Sequence, residues 1–409
     1  GKLLTAVERF GAAEGIDERP LAEREDPIEV LNRLYTRFHE ELASEPGLEE
    51  EARRWFQRLE DGDSTARARW QEIRGLSLGR FQQVYERLGV RFEEVTGESF
   101  FEDRMGPLIE ELDRRGLLEE SEDAQVVRLE EGVPPMLIRK KDGATLYGTR
   151  DLAAADYRWE RWRFDRCFYV VDAGQGLHFR QLFGVLRLLG REYAGRMKHV
   201  EFGVLRLPVA GAWVKGRTRH GRVVLLEEVL DAAVRMARDV VREKNPALEG
   251  ADEVAEAVGI GAVIFSDLKS RRVKDVNFDL EQILSFEGET GPYLQYTHVR
   301  FCGIIRKSAH LGQGKGDGRR LEEPEELRLA KEIARYPDVV ARAADEAEPS
   351  ILSQYLLTIA SRFNNYYAAH RILDDDLELA RDRLALVRAL RVVLSSGLRM
   401  LGIQPLERM

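Results

Sequence analysis

The chain has 409 residues, of which 44% are hydrophobic and 33% charged, with a formal net charge of −9. That length exceeds what one simple core organises, so two or three domains are expected. The acidic balance excludes a uniformly basic nucleic-acid binder, although it leaves room for a local basic face. No apolar run approaches the roughly 20 residues that cross a bilayer, and no signal-peptide pattern opens the chain. The two cysteines, Cys167 and Cys302, lie in or beside apolar runs, as buried free thiols do in a reducing compartment. A cytosolic protein is expected, with no membrane association.

Residues 1–16 read as a short amphipathic helix with no preceding cap, as if the chain began within a larger unit. Residues 27–89 read as charged helices. Leu31, Leu34, Tyr35 and Phe38 recur at helical spacing, and Ser64 and Thr65 offer an N-cap. Trp55, Phe56, Trp70, Phe81 and Tyr85 are expected as core contacts. Residues 90–100 read as a strand and loop, and Asp103 to Arg115 as a helix. Residues 126–129 and 135–147 look like paired strands, and Asp142-Gly143 supplies the positive φ of a tight turn.

The stretch from Leu146 to Leu189 reads as turn, helix, strand, loop, helix. Tyr147, Thr149, Arg150 and Asp151 sit where the first helix begins. Residues 168–171 (FYVV) have the pattern of a strand buried on both faces. Asp172, Gly174, Gln175 and His178 follow it, leading into a helix over 178–190, and residues 199–205 form the next strand. This alternation predicts a parallel sheet with crossover helices, and ligands bind beyond the carboxyl ends of such strands. Asp151 is equally readable as a helix cap and as a ligand. His178 alone fits a satisfied core histidine. A glutamine after a buried strand has no evident structural task.

Lys215, Arg217, Arg219, His220 and Arg222 place five potential cations in eight residues. Such a loop is either a solvated basic turn or an anion clamp. From Glu227 onward the pattern is almost all helix, without strand-like alternation. Residues 310–320 are glycine-rich and read as a flexible surface loop. Leu384, Val387, Leu390, Leu394, Leu398 and Leu401 mark one face of a long last helix. Residues 269–274 hold four basic residues in six, and Tyr293, Tyr296, His298 and Arg300 follow on neighbouring helical turns. These are either a packed helix start or an RNA contact, in which aromatic rings stack on splayed bases. Phe363, Tyr366 and Tyr367 form a second aromatic group. No Cys/His spacing suits a metal, so no metal site is expected, and no Walker-type loop occurs.

Several motifs stand in a fixed order: YGTRDLAAADYR (147–158), Tyr169 to Asp172 with Gln175 and His178-Phe179, HVEFG (199–203), DVNFD (275–279), SFEGETGPYLQY (285–296), and the closing Leu401-Gly402-Ile403 with Arg408-Met409. Together they resemble arginyl-tRNA synthetases, a family of class I aminoacyl-tRNA synthetases. The resemblance covers Val90 to Met409 and the GKLL segment (1–4), whereas residues 18–88 resemble the family's variable insertion. It implies an α/β fold: a partial class I nucleotide-binding (Rossmann-like) parallel sheet over residues 1–250, with a helical insertion at about 18–88. An all-α anticodon-binding helix bundle follows over 251–409.

The implied activity is ATP-dependent attachment of arginine to its tRNA through an arginyl-adenylate, with ATP and Mg2+ as substrate and no tightly bound cofactor. The implied partners are arginine-specific tRNA, L-arginine and ATP, and the implied state is a monomer in the cytoplasm. Tyr147, Asp151, Gln175 and Glu98 match arginine-binding positions, and His178 lies in the segment expected near the adenylate. The loop with Lys215, Thr218, Arg219, His220 and Gly221 matches the family's KMSKS loop. There Arg217 and His220 stand where serine and lysine are usual. Tyr293, Tyr296, Tyr366 or Tyr367, and Met409 match positions that contact anticodon bases. None of the seven histidines belongs to the family's HIGH motif, which is expected upstream of GKLL. The chain by itself is therefore expected to be impaired in ATP activation. A truncated, non-catalytic tRNA-binding relative is the alternative reading.

Overall fold

The computed structural model describes residues 1–121, 124–140, 147–209, 212–215, 224–311 and 316–409. The chain forms two compact units, Gly1–Arg91 and Phe92–Met409. The first holds α1 (Lys2–Phe10), α2 (Pro27–Glu41), α3 (Gly47–Glu60) and α4 (Ser64–Arg87). Val30, Leu31, Leu34 and Phe38 project from one stripe of α2 onto Ala6, Leu48 and Ala52, as helical periodicity predicts. The first helix stops at Phe10 and gives way to a 3-10 turn, Ala12–Glu14, so it does not run to residue 16. The cap of α4 is Asp63, which accepts from the Ala66 amide at 2.8 Å, and neither Ser64 nor Thr65 serves. Trp55 is buried with Leu4 and Ala66. Tyr35, Phe56 and Phe81 are exposed, contrary to expectation: Phe56 follows Trp55 by one residue and so points about 100° away from it around the helix.

In the second unit, residues 90–97 form no strand. They run irregularly into a 3-10 turn, Glu98–Phe101, and then α5 (Glu102–Arg114). A lone β-prone run without a pairing partner has nowhere to place its backbone hydrogen bonds. Strands β1 (Leu118–Ser121), β2 (Ala124–Val127) and β3 (Met136–Lys140) form an antiparallel meander. The β2–β3 pairing agrees with the sequence pattern, but the proposed Asp142-Gly143 turn lies outside the described residues. Helix α6 (Tyr147–Trp162), β4 (Cys167–Asp172), α7 (Gly176–Leu188) and β5 (Met197–Phe202) follow. β4 and β5 are parallel, in register from Cys167↔Met197 to Asp172↔Phe202, with α7 as the crossover.

β4 is not buried on both faces. Tyr169 and Val171 pack inward, whereas Phe168 and Val170 are 43% and 65% exposed. Alternate residues of a strand face opposite sides, and among the described residues the core covers one side only. Next come β6 (Leu205–Val209), β7 (Ala212–Lys215), α8 (Leu226–Lys244), α9 (Ala251–Leu268) and β8 (Val276–Asn277). β6 pairs antiparallel with β7 and parallel with β8, so the helical half does contribute one short strand.

The chain closes with α10 (Leu280–Ile283), α11 (Gly291–Lys307), α12 (Pro324–Glu346), α13 (Pro349–Ala369) and α14 (Leu377–Met400). The six predicted apolar residues of the last helix face are all buried in this core. Gly291 permits a close crossing: a Cβ there would lie 2.6 Å from the Gly261 carbonyl oxygen of α9. The glycine-rich loop is anchored in its described part, because buried Asp382 accepts from the amides of Gly318 at 3.0 Å and Arg320 at 2.9 Å.

Side chains of α11 strap the C-terminal tail down. Gln295 donates to the Gln404 carbonyl at 3.0 Å, Arg306 to the Glu407 carbonyl at 2.9 Å, and His298 Nδ1 to the Leu406 carbonyl at 2.7 Å. A carbonyl only accepts, so Nδ1 carries the proton. Burial lowers the pKa of His298 below its ordinary 6.5, and the bond to Leu406 offsets that in part. Glu407, Arg391 and Arg399 are the charged groups acting on it. The unfolded chain therefore binds the proton more tightly. The stabilisation is full above pH 6.5 and is lost as pH falls toward the folded value. Urea unfolding at pH 7 and pH 5 is expected to show this loss in the wild type, and His298→Gln is expected to lack that component.

Candidate active site

Strand β3 positions the start of α6. Thr149 donates to the Ile138 carbonyl at 2.5 Å. Gly148 lies so close that a Cβ would sit 2.6 Å from Met136 Cε. Tyr147, Arg150 and Asp151 thereby fall on adjoining positions of one helical turn. Asp151 is not a cap, since α6 already begins at Tyr147. Its Oδ2 accepts from His178 Nε2 of α7 at 2.7 Å; a carboxylate only accepts, so this ring nitrogen bears the hydrogen. Among the described residues Oδ1 has no protein partner and is free to accept another donor. The Tyr147 ring lies on the His178 ring, with centroids 4.7 Å apart and planes tilted by 46°.

His178 is buried, while Tyr147 and Gln175 are exposed and Asp151 is half-buried. Gln175 ends a 3-10 turn, Ala173–Gln175, and stands at the N-cap of α7. It makes no hydrogen bond to Asp151 or Tyr147 among the described residues. Glu98 heads its own 3-10 turn and meets Arg150, with Nη1 3.7 Å from its Oε2. Arg150 is the contact of Glu98 that the sequence does not single out. Its spacing of three from Tyr147 was the available signal. Lys215 closes β7, but Thr218, Arg219, His220 and Gly221 lie outside the described residues.

A second network holds α6 and α7 in place. Arg191, just beyond α7, forks onto Asp156 of α6 (2.8 Å twice) and Glu111 of α5 (3.0 and 2.8 Å). Hydrogen bonds from Arg191 hold the Glu111 carboxyl below its usual range against the opposing effect of burial. Tyr193 adds a bond to Asp156 at 2.5 Å. Beneath the cluster, burial pushes the Tyr169 phenol up. Arg158 donates to that phenol oxygen at 3.0 Å.

On the helical half, Tyr296 and Tyr367 are each 40% exposed. The Arg300 guanidinium stands between them, 5.2 Å and 5.3 Å from their ring centroids. Tyr293 is half-buried, and its hydroxyl accepts from Asn364 at 2.9 Å. Tyr366 is not available for base stacking: it is 1% exposed, and its hydroxyl donates to buried Glu326 at 2.7 Å. Of the adjacent pair only Tyr367 reaches the surface, because consecutive helical residues point about 100° apart. The Met409 carbonyl accepts from Asn245 at 3.4 Å. Arg272, in the basic run, is committed to fastening the chain: it donates to the Ala347 carbonyl at 2.9 Å and the Glu201 carbonyl at 2.7 Å. Among the described residues one trio, Glu323, Glu325 and His370, is close enough to hold a metal ion. However, Glu323 caps α12 and Glu325 pairs with Arg328 at 3.6 Å.

A parallel βαβ unit with a polar cluster beyond its strand, followed by a helical bundle with an exposed aromatic pair, agrees with the resemblance to class I aminoacyl-tRNA synthetases, and the family comparisons define the class. Residues 14–280 match the family described as "tRNA synthetases class I (R), catalytic domain", and residues 294–409 match the "DALR anticodon binding domain". An arginine–tRNA ligase of Exiguobacterium sibiricum is 47% identical, over 100% of this chain and 70% of its own length. One of Clostridium beijerinckii is 45% identical, over 100% of this chain and 71% of its own. Among solved structures, the Thermus thermophilus arginyl-tRNA synthetase superposes with a TM-score of 0.83 at 25% identity, covering 100% of this chain and 73% of that one. The chain belongs to the arginyl-tRNA synthetase family. No described helix is long and apolar enough to cross a membrane.

Proposed function

We propose that the protein is an arginine–tRNA ligase that reads its tRNA through the helical half. The observation that carries this reading is the Tyr147–His178–Asp151 cluster beyond the C-terminal end of β4, in a chain of this family. A guanidinium presents a planar fork of donors, and carboxylates match it in charge and geometry. Asp151 supplies one carboxylate and Glu98 the other. His178 orients Asp151, Tyr147 bounds the pocket, and Gln175 serves at the start of α7. MgATP is the second substrate, held by the loop with Lys215, Thr218, Arg219, His220 and Gly221.

The arginine carboxylate attacks the α-phosphorus of ATP. The new O–P bond gives arginyl-adenylate, and the bond to pyrophosphate breaks. A terminal hydroxyl of the tRNA then attacks the acyl carbon and AMP leaves. The protein's contribution is positioning and charge stabilisation without a covalent enzyme intermediate. Tyr293, Tyr296, Tyr367 and Met409 contact anticodon bases, and residues 251–409 form the tRNA-reading half. We place the protein in the cytoplasm as a monomer.

The test pairs two variants. Asp151→Ala is expected to lose arginine dependence while keeping tRNA affinity, and Tyr296→Ala the reverse. Loss of a stacking ring costs about 1–3 kcal/mol per base, so Tyr296→Ala and Tyr367→Ala should each weaken tRNA binding roughly 5- to 150-fold in a filter-binding assay. Failure of the wild type to bind arginine, or identical tRNA binding by the wild type, Tyr296→Ala and Tyr367→Ala, would refute the assignment.

A further inference from the structure

Both carboxylates assigned to the arginine pocket already have partners supplied by the protein. Asp151 accepts from His178 at 2.7 Å, and Glu98 faces the Arg150 guanidinium at 3.7 Å. The two members of the second pair differ in surroundings: the Arg150 side chain is 18% exposed and that of Glu98 77%. Arg150 Nε is buried and finds no hydrogen-bond partner among the described residues, so the guanidinium is tied to Glu98 without being locked from behind. It carries the same functional group as the amino acid to be bound, one residue along α6 from Asp151.

We infer that Arg150 is an internal competitor for the guanidinium subsite: it occupies Glu98 until the substrate guanidinium takes that carboxylate over. This rests on the functional reading above and adds a regulated exchange to it. The physical motive is charge. A carboxylate waiting for a cation raises the cost of holding a second carboxylate nearby. An internal guanidinium neutralises it in the same planar geometry. A contact at 3.7 Å to an exposed carboxylate is weak, so the incoming ligand can displace it. Displacement costs the ligand part of its affinity, as any competing equilibrium does.

The experiment is a double-mutant cycle with Arg150→Met, Glu98→Gln and the double variant, read by equilibrium dialysis of arginine and of agmatine, which has the guanidinium but lacks the carboxylate. Arg150→Met is expected to tighten both ligands by the same factor, about threefold to fivefold. In the Glu98→Gln background it is expected to change neither. Weaker arginine binding with unchanged agmatine would instead place Arg150 on the substrate carboxylate and overturn the inference, as would an effect that persists without Glu98. Arg150→Lys keeps the charge but loses the fork; it should shift both ligands the same way by less, and it serves if the methionine variant folds poorly. A wild type that binds neither ligand overturns the functional reading itself. A wild type that binds both but gives an additive cycle overturns only the exchange.

Discussion

Asp151→Ala is expected to reduce arginine affinity by about 2–3 kcal/mol, roughly 30- to 150-fold. The argument is local. Asp151 is fixed by two contacts that do not depend on substrate: α6 is pinned to β3 through Thr149 and the Ile138 carbonyl, and Oδ2 is held by His178. The carboxylate is thus pre-aimed, and its removal leaves a donor-rich ligand facing a pocket with one carboxylate fewer. Asp151→Asn keeps the shape but replaces an anion by a group that is half donor, so it should fall nearly as far. His178→Asn should cost less, because the carboxylate remains and only its orientation loosens. Equilibrium dialysis with all three variants, alongside arginine-dependent charging of tRNA, gives the order. A fall with His178→Asn as large as that with Asp151→Ala would show that the histidine touches the ligand itself.

The second large effect concerns stability. Glu326→Ala is expected to destabilise the helical half by about 3–5 kcal/mol, the cost of stranding a buried charge. Glu326 is fully buried on α12. Its Oε1 accepts from Arg383 of α14 and Tyr366 of α13, each at 2.7 Å, and its Oε2 from the Glu323 amide at 3.1 Å. One carboxylate thereby joins three helices. Burial pushes its pKa up, but the hydrogen bonds from Tyr366, Arg383 and Glu323 outweigh that and hold it below the ordinary 4.5. The folded form binds the proton less tightly than the unfolded one. The stabilisation is therefore present above pH 4.5 and is lost as pH falls through the folded value. Urea titration at pH 7 should show the full difference between wild type and Glu326→Ala, and the gap should narrow on acidification. Glu326→Gln, which retains an acceptor for Arg383 and Tyr366, should cost less. An alanine variant as stable as the wild type would mean that the three helices are held by apolar packing alone.

The opening of α6 was the most legible part of the site. Tyr147 and Asp151 stand four apart, and helical geometry alone puts them on one side. The partner of Asp151 was not legible, because His178 lies 27 residues further on, and only the pairing of α6 with α7 brings it within 2.7 Å. Arg150 was missed for a related reason: an arginine on a charged helix has no local mark that separates a solvated side chain from one folded back onto Glu98. Tyr366 and Tyr367 looked interchangeable as adjacent tyrosines. Their fates diverge because the helix turns one of them onto Glu326 and the other onto Arg300.

Strand exposure shows the same limit. The apolar run at 168–171 identified a strand correctly. Whether both of its faces are covered depends on what packs against them, and that is a property of distant chain. Likewise, residues 90–97 have β-prone side chains but no strand beside them.

Local chemistry written into the sequence by itself determined the helix order, the parallel crossover from β4 to β5, the apolar face of α14, and the gathering of polar residues at the starts of α6 and α7. These follow from periodicities of 3.6 and 2 and from the types of residue at helix and strand ends. Only the tertiary structure decided which carboxylate is held by which donor, which of two neighbouring tyrosines meets solvent, and where the C-terminal tail is strapped. Those outcomes depend on contacts between segments tens to more than a hundred residues apart, whose geometry no local pattern encodes.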